Sequence, residues 1–173
     1  MKTTIVTELL WERAQPLFVM VDGVLVRDIN ARWSKNDPQF SCLYQGRAAQ
    51  DLSDVAPYLG GLSNHRQILE GLVNAGWGRS WGVYITCDVS FDELRHHLRK
   101  FLKVKGGDGQ ELYFRFYDPR VLRTFLPTCD RDQVKEIFGP VSTFWVEGEA
   151  PTTCIAFRQD KGSLQTELIN LEK

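Results

Sequence analysis

The spacing of apolar residues changes period several times along the chain, and each change predicts an element. The first dozen residues place Ile5, Leu9 and Leu10 on one side of a helix. After Pro16, LFVMVDG is an unbroken apolar run of strand length closed by Asp-Gly, which suits a buried strand. A helical segment is expected from Val24 towards Trp33, and SKNDPQ at 34–39 reads as loop. SCLYQG and VAPYLGGL are short candidate strands. Ser63 or Asn64 is placed to cap a helix with Ile68, Leu69, Leu72 and Val73 in one stripe, with Gly76 as a left-handed stop.

From Trp81 onward, WGVYITC reads as a strand. Ser90-Phe-Asp-Glu93 has the spacing of a capping box and opens a helix with Phe91, Leu94, Leu98, Phe101 and Leu102 facing inward. LKVK and ELYFRFY flank GGDGQ, a hairpin signal. Asp118-Pro119 starts a further helix that Pro127 ends. Asp130-Arg-Asp-Gln133 is a second capping box, leading to Val134, Ile137 and Phe138, with Gly139-Pro140 as a stop. STFWVEG and TTCIAFR read as strands, and a polar tail follows from Gln159. Strands and helices alternate early and hairpins dominate late. The expected fold is therefore α/β in the α+β sense, a single compact domain with a mixed, partly antiparallel sheet flanked by helices. Residues 1–147 form the expected core, and 148–173 a short C-terminal strand and polar tail.

Composition narrows the function classes. With 173 residues, 43% apolar and 25% charged, the chain can bury one core, and a net charge of −1 gives no general attraction to nucleic acid or acidic membrane. The longest apolar run, Leu17 to Val26, is interrupted by Asp22 and Gly23 and is too short to span a bilayer, and no signal segment is apparent. A cytoplasmic location is expected. Cys42, Cys87, Cys129 and Cys154 are too widely spaced for a zinc ribbon or redox pair and are read as reduced structural residues.

Catalytic patterns fit poorly. VMVDGVLV resembles the opening of the haloacid dehalogenase phosphatases, but Met20 stands where the nucleophilic aspartate belongs, and a thioether forms no phospho-enzyme. Cysteine hydrolysis needs a paired histidine, whereas His65, His96 and His97 read as surface residues. Adjacent histidines on a helix diverge by about 100° and make a poor metal pair. No phosphate-cradling or dinucleotide motif is present. No enzymatic activity, metal or cofactor is expected; the alternative is a small hydrolase or transferase using Cys87.

Surface features remain. Arg95, His96, His97, Arg99 and Lys100 line the polar side of the Ser90 helix, and Lys103 and Lys105 extend the charge. Such a strip suits an acidic protein surface better than nucleic acid, because stacking aromatics are missing from it. In ELYFRFYDPRVL, alternation places Leu112, Phe114 and Phe116 on one face and Tyr113, Arg115 and Tyr117 on the other. Arg115 is thus expected between two tyrosines, Asp118 as helix cap with Pro119 in the first turn, and Arg120 and Arg123 pointing outward.

These residues carry a resemblance. The stretch from Ser90 to Glu147, with DELRHHLRKF, FRFYDPRVL and FGPV, resembles the effector-chaperone adaptors of type VI secretion, the Tap or TEC family. VDG at 21–23, APYL at 56–59 and GWG at 76–78 are similar to that family's earlier landmarks. The resemblance implies a non-enzymatic adaptor that binds a toxic effector and helps load it onto the VgrG spike, without nucleic-acid or membrane partners. Candidate partner contacts are Arg120, Arg123, Arg95, Arg99 and Lys100; Arg115, Tyr117, Asp118 and Pro119 form the structural motif. Many members carry a further variable C-terminal lobe; if effector choice depends on it, this chain is expected to use its core surface, its short tail at 148–173 or a smaller range of partners. An immunity-type protein that binds one toxin is a further alternative.

Overall fold

In the computed structural model, which describes residues 2–26, 37 and 39–172, the early strands interleave into one sheet. The strands are β1 Leu17–Asp22, β2 Phe40–Cys42, β3 Pro57–Gly61, β4 Gly82–Cys87, β5 Lys103–Lys105, β6 Glu111–Tyr113, β7 Val141–Glu147, β8 Thr153–Asp160 and β9 Ser163–Asn170. Seven of them form a sheet in the order β2-β3-β1-β4-β7-β8-β9, while β5 and β6 form a separate hairpin. The described helices are α1 Lys2–Trp11, α2 Gly46–Asp51, α3 Arg66–Gly76, α4 Phe91–Arg99, α5 Pro119–Phe125 and α6 Arg131–Phe138, with a 3-10 turn at Leu126–Thr128. The α+β domain expected from sequence is the fold observed. Every described strand pairing is antiparallel, so the expected mixture of directions resolves to one sense.

Helices cover both faces of this sheet, which explains the unbroken apolar run of β1. Register puts Leu17, Val19, Tyr84, Thr86 and Trp145 on one face, and Phe18, Met20, Asp22, Ile85 and Phe144 on the other. On the second face α4 arrives through Phe91 against Phe18, ring centroids 6.4 Å apart, and α6 through Phe138 against Phe144 at 5.1 Å. On the first face α1 packs with α3, and Trp77, just beyond α3, meets Tyr84 at 6.4 Å. All six residues of β1 are buried. A fully buried Leu, Val or Phe contributes about 1.5–3 kcal/mol, so this strand is the centre of the core.

Both capping boxes form as expected. Ser90 Oγ accepts the Glu93 amide while the Glu93 carboxylate accepts the Ser90 amide, and Asp130 and Gln133 do the same for α6. Other local expectations yield to tertiary contacts. Ser63 does not cap α3: its Oγ accepts the Leu17 amide at 3.0 Å, fixing the entry of β1. Gly76 is not a left-handed stop: α3 ends as Trp77 turns extended, and the glycine makes room for the Trp81 ring, which a Cβ would approach to 2.6 Å. The strand expected through ELYFRFY stops at Tyr113, and Phe116 and Tyr117 are both buried although adjacent. Alternation fails because each turns into a different wall of a non-strand corner.

The tail beyond Gln159 is strand, not polar coil. Residues 163–170 pair with β8 along its whole length. Their composition reads as tail because β9 is the outermost strand, with most side chains exposed. The helix expected from Val24 towards Trp33 and the loop at 34–39 lie mostly outside the described residues. Of that helix, the start at Val24–Val26 is a turn in which the Leu25 and Val26 amides donate to the Asp22 carbonyl.

Candidate functional site

The motif residues gather around one buried carboxylate, that of Asp22. A carboxylate at the end of an apolar central strand must find partners, because unpaired burial of its charge costs several kcal/mol. Asp22 is 1% exposed. Its Oδ1 accepts the Val24 amide at 2.9 Å, and its Oδ2 accepts from the Arg115 guanidinium. The backbone is tied at the same place: the Asp22 amide donates to Trp81 O, and the Gly23 amide to Ala56 O, each at 3.0 Å. A Cβ at Gly23 would overlap that Ala56 oxygen, which is why VDG needs its glycine. Thus VDG, APYL and FRFYD, far apart in sequence, meet at one junction.

Arg115 then bridges to the start of α5. Its guanidinium lies 5.9 Å from the Tyr117 ring centre, but Tyr113 is elsewhere, tilted against Tyr44 at 4.9 Å with Lys103 above it. The expected clamp between two tyrosines is therefore one-sided. Burial, with Tyr44 beside it, pushes the Tyr117 phenol up, so it stays neutral. Asp118 caps α5 through the Arg120 amide at 2.9 Å and takes the Arg120 side chain at 3.0 and 2.7 Å. Burial alone would raise the Asp118 carboxyl, but the hydrogen bonds and charge of Arg120 outweigh it and hold it below the usual range.

A second junction centres on Glu147, at the end of β7. Its carboxylate accepts the Gly78 amide at 2.5 Å, the Ser80 amide at 2.8 Å and the Ser80 hydroxyl at 3.0 Å. Gly78 and Ser80 both have positive φ, so the GWGRS turn is held in a conformation it would not choose alone. The Glu147 carbonyl accepts from Arg123 at 2.8 Å, tying α5 to the same strand end.

The candidate contact residues divide on this geometry. Arg120 is exposed yet doubly bonded to Asp118. Arg123, expected to point outward, is half-buried and committed to Glu147. Arg99 is half-buried and donates to the Cys42 and Leu43 carbonyls at 2.9 and 3.1 Å, blunting the β2 edge. Arg95 pairs with Asp92 at 2.7 Å. Lys100 is exposed, and its ammonium has no hydrogen-bond or ion-pair partner among the described residues. The basic strip is thus mostly structural, because long side chains crossing from α4 to β2 satisfy carbonyls that no strand covers. An open groove of about 600 Å³ runs along α5, lined by Asp118, Arg120, Val121, Thr124, Phe125 and Thr128.

His97 departs most from its sequence reading. It is 8% exposed, not solvated, with Nε2 2.8 Å from the Ile137 carbonyl and its ring against Phe101. It shares the inward stripe of Leu94, Leu98 and Phe101, a helical spacing that signals burial. A Cβ at Gly139 would overlap the ring, so FGP leaves room for it. Burial holds the imidazole below its ordinary 6.5, since the charged form would lose water. A depressed folded-state value means the unfolded chain binds the proton first, so stability is full above about 6.5 and falls as pH drops through that range. Thermal midpoints should decline between pH 7.5 and 5.5, and His97→Gln should flatten that decline.

Cysteine chemistry has little support at Cys87, which is fully buried, with its thiol pushed up to about 11 by burial. Cys154 is pushed up to about 12 for the same reason. Iodoacetamide at pH 8 should modify neither at an enhanced rate; fast single-site labelling of Cys87 would revive the hydrolase reading. The described residues hold no group of three or more potential metal ligands, and no described helix is long and apolar enough to cross a membrane.

Fold and site together define an α+β domain whose sequence landmarks serve as cross-braces between strand ends and helix starts. A family profile described as a domain of unknown function, DUF4123, matches residues 17–136, and the chain belongs to that family. No curated protein and no solved structure matches it.

Proposed function

We propose that this protein is a type VI secretion adaptor that binds a toxic effector and assists its loading onto the VgrG spike in the cytoplasm. The observation that carries the reading is the DUF4123 match over residues 17–136, which contains the VDG, APYL, GWG and FRFYDPRVL segments that resemble the adaptor family. Those segments meet at the Asp22 and Glu147 junctions, so the resemblance concerns the frame of the domain and leaves its surface free to suit a partner.

The proposed contact surface consists of the α5 groove together with the exposed Lys100 just beyond α4. The groove offers an apolar floor from Val121 and Phe125 beside Arg120, a composition that suits protein contact. Lys100 supplies free charge. Arg99 and Arg123 are left out of this surface because each is half-buried and already donates to a backbone carbonyl. Lys100→Glu and Thr124→Arg together should reduce effector or spike co-purification at least about tenfold, a loss of about 1.4 kcal/mol, with the thermal midpoint unchanged. Undiminished co-purification would move the contact elsewhere.

A further inference from the structure

The outermost strand, β9, presents an edge with which no other described strand pairs. It leaves β8 through a two-residue turn, Lys161-Gly162, with φ of 48° and 83°, the geometry of a tight type I′ hairpin. Such a hairpin closes on a hydrogen-bonded pair, here Asp160 with Ser163. Bonding then alternates, so Ser163, Gln165, Glu167 and Ile169 bond to β8, while the backbone N–H and C=O of Leu164, Thr166 and Leu168 point outward. Inward bonding at odd positions continues at Leu171, whose amide donates to Thr152 O at 2.8 Å.

Exposed edges usually carry a device against pairing, such as proline, lysine or a bulge. From Ser163 to Asn170 there is neither proline nor lysine, and the register with β8 is unbroken. The one charge, Glu167, is engaged by Arg158 at 2.7 Å. Leu168 is 68% exposed, the most of any large apolar side chain described.

The sequence of this edge says which strand it fits. Leu164-Gln-Thr-Glu-Leu168 reads nearly the same in both directions about Thr166. An antiparallel copy centred on Thr166 would set Leu164 of each chain opposite Leu168 of the other, Thr166 opposite itself, and Gln165 opposite Glu167. All three outward-facing pairs are hydrogen-bonded, giving about six backbone hydrogen bonds. A shift of the two-fold to Glu167 would instead oppose two carboxylates, which is unfavourable. We propose that β9 pairs with β9 of a second copy of this chain about a two-fold axis at Thr166, joining two sheets into one.

Sedimentation of the full chain across the micromolar range should show a concentration-dependent species of twice 19.9 kDa. Thr166→Pro removes only an outward N–H, and Leu168→Lys places charge on a side chain already in solvent. Both should give monomer with the thermal midpoint little changed. Thr166→Cys should cross-link on mild oxidation, since Cα atoms of a hydrogen-bonded pair lie about 5.5 Å apart, whereas Glu167→Cys should not. A chain that stays monomeric throughout, a dimer that both edge variants leave intact, or faster cross-linking through position 167 would overturn the proposal. Monomers in which Leu168→Lys abolishes effector capture would overturn it too, assigning the edge to a foreign strand.

Discussion

Arg115→Ala is expected to lower unfolding free energy by about 3 kcal/mol, more than its half-exposed position suggests. The cost lies on the other side of the pair. Asp22 is buried at the end of the central strand, and losing the guanidinium leaves a carboxylate with one amide donor and no counter-charge. Breaking a buried pair from one side costs about 3–5 kcal/mol, and access of water to the Arg115 side brings this case to the lower end. Asp22→Asn should cost only about 1 kcal/mol, since the amide oxygen keeps the Val24 bond and Arg115 can turn to solvent. Urea denaturation of the two variants tests this asymmetry, and equal losses would mean that the ion pair is not what holds the corner.

Glu147→Ala should cost about 2–3 kcal/mol, a fall in thermal midpoint of about 4–10 °C for a domain of this size. Three donors lose their acceptor at once. All three belong to Gly78 and Ser80, residues with positive φ whose backbone is held in place by the carboxylate. Protease nicking within residues 77–80 should rise together with the loss of stability. Unchanged nicking would show that the turn is held by other contacts, such as the Trp77 indole bond to Pro151 O at 3.1 Å.

These expectations show which parts of the molecule were legible in sequence. Ser90–Glu93, Asp130–Gln133 and Asp118-Pro119 were readable because each is closed within four residues, where chain geometry leaves little choice. The pairing of Asp22 with Arg115 spans 93 positions, and that of Glu147 with Gly78 spans 69. No periodicity reports such partners. A weaker signal was present, since an acid ending an apolar strand, as in VMVDG and FWVEG, requires a distant donor. His97 could have been recognised by its spacing from Leu94 and Phe101, had its charge not been weighed above its position on the helix. β9 was missed because an edge strand exposed on most positions has the composition of a tail.

For the arginines, surface position proved a poor guide. Arg123 was expected to point outward because its acceptor, the Glu147 carbonyl, becomes visible only when α5 is docked on the end of β7, whereas Asp118 stands only two residues from Arg120. The motif is a brace that ties α5 to the ends of β1 and β7.

The central claim is that the chain acts by forming complexes. The most direct measurement mixes the purified full chain with a candidate type VI effector and a VgrG spike protein and determines mass and composition by native mass spectrometry. The expected result is a defined complex with the effector, extended by the spike, in which every component keeps its mass. Failure to bind either partner at micromolar concentration, or a covalent change in the effector that accumulates over many turnovers, would contradict it.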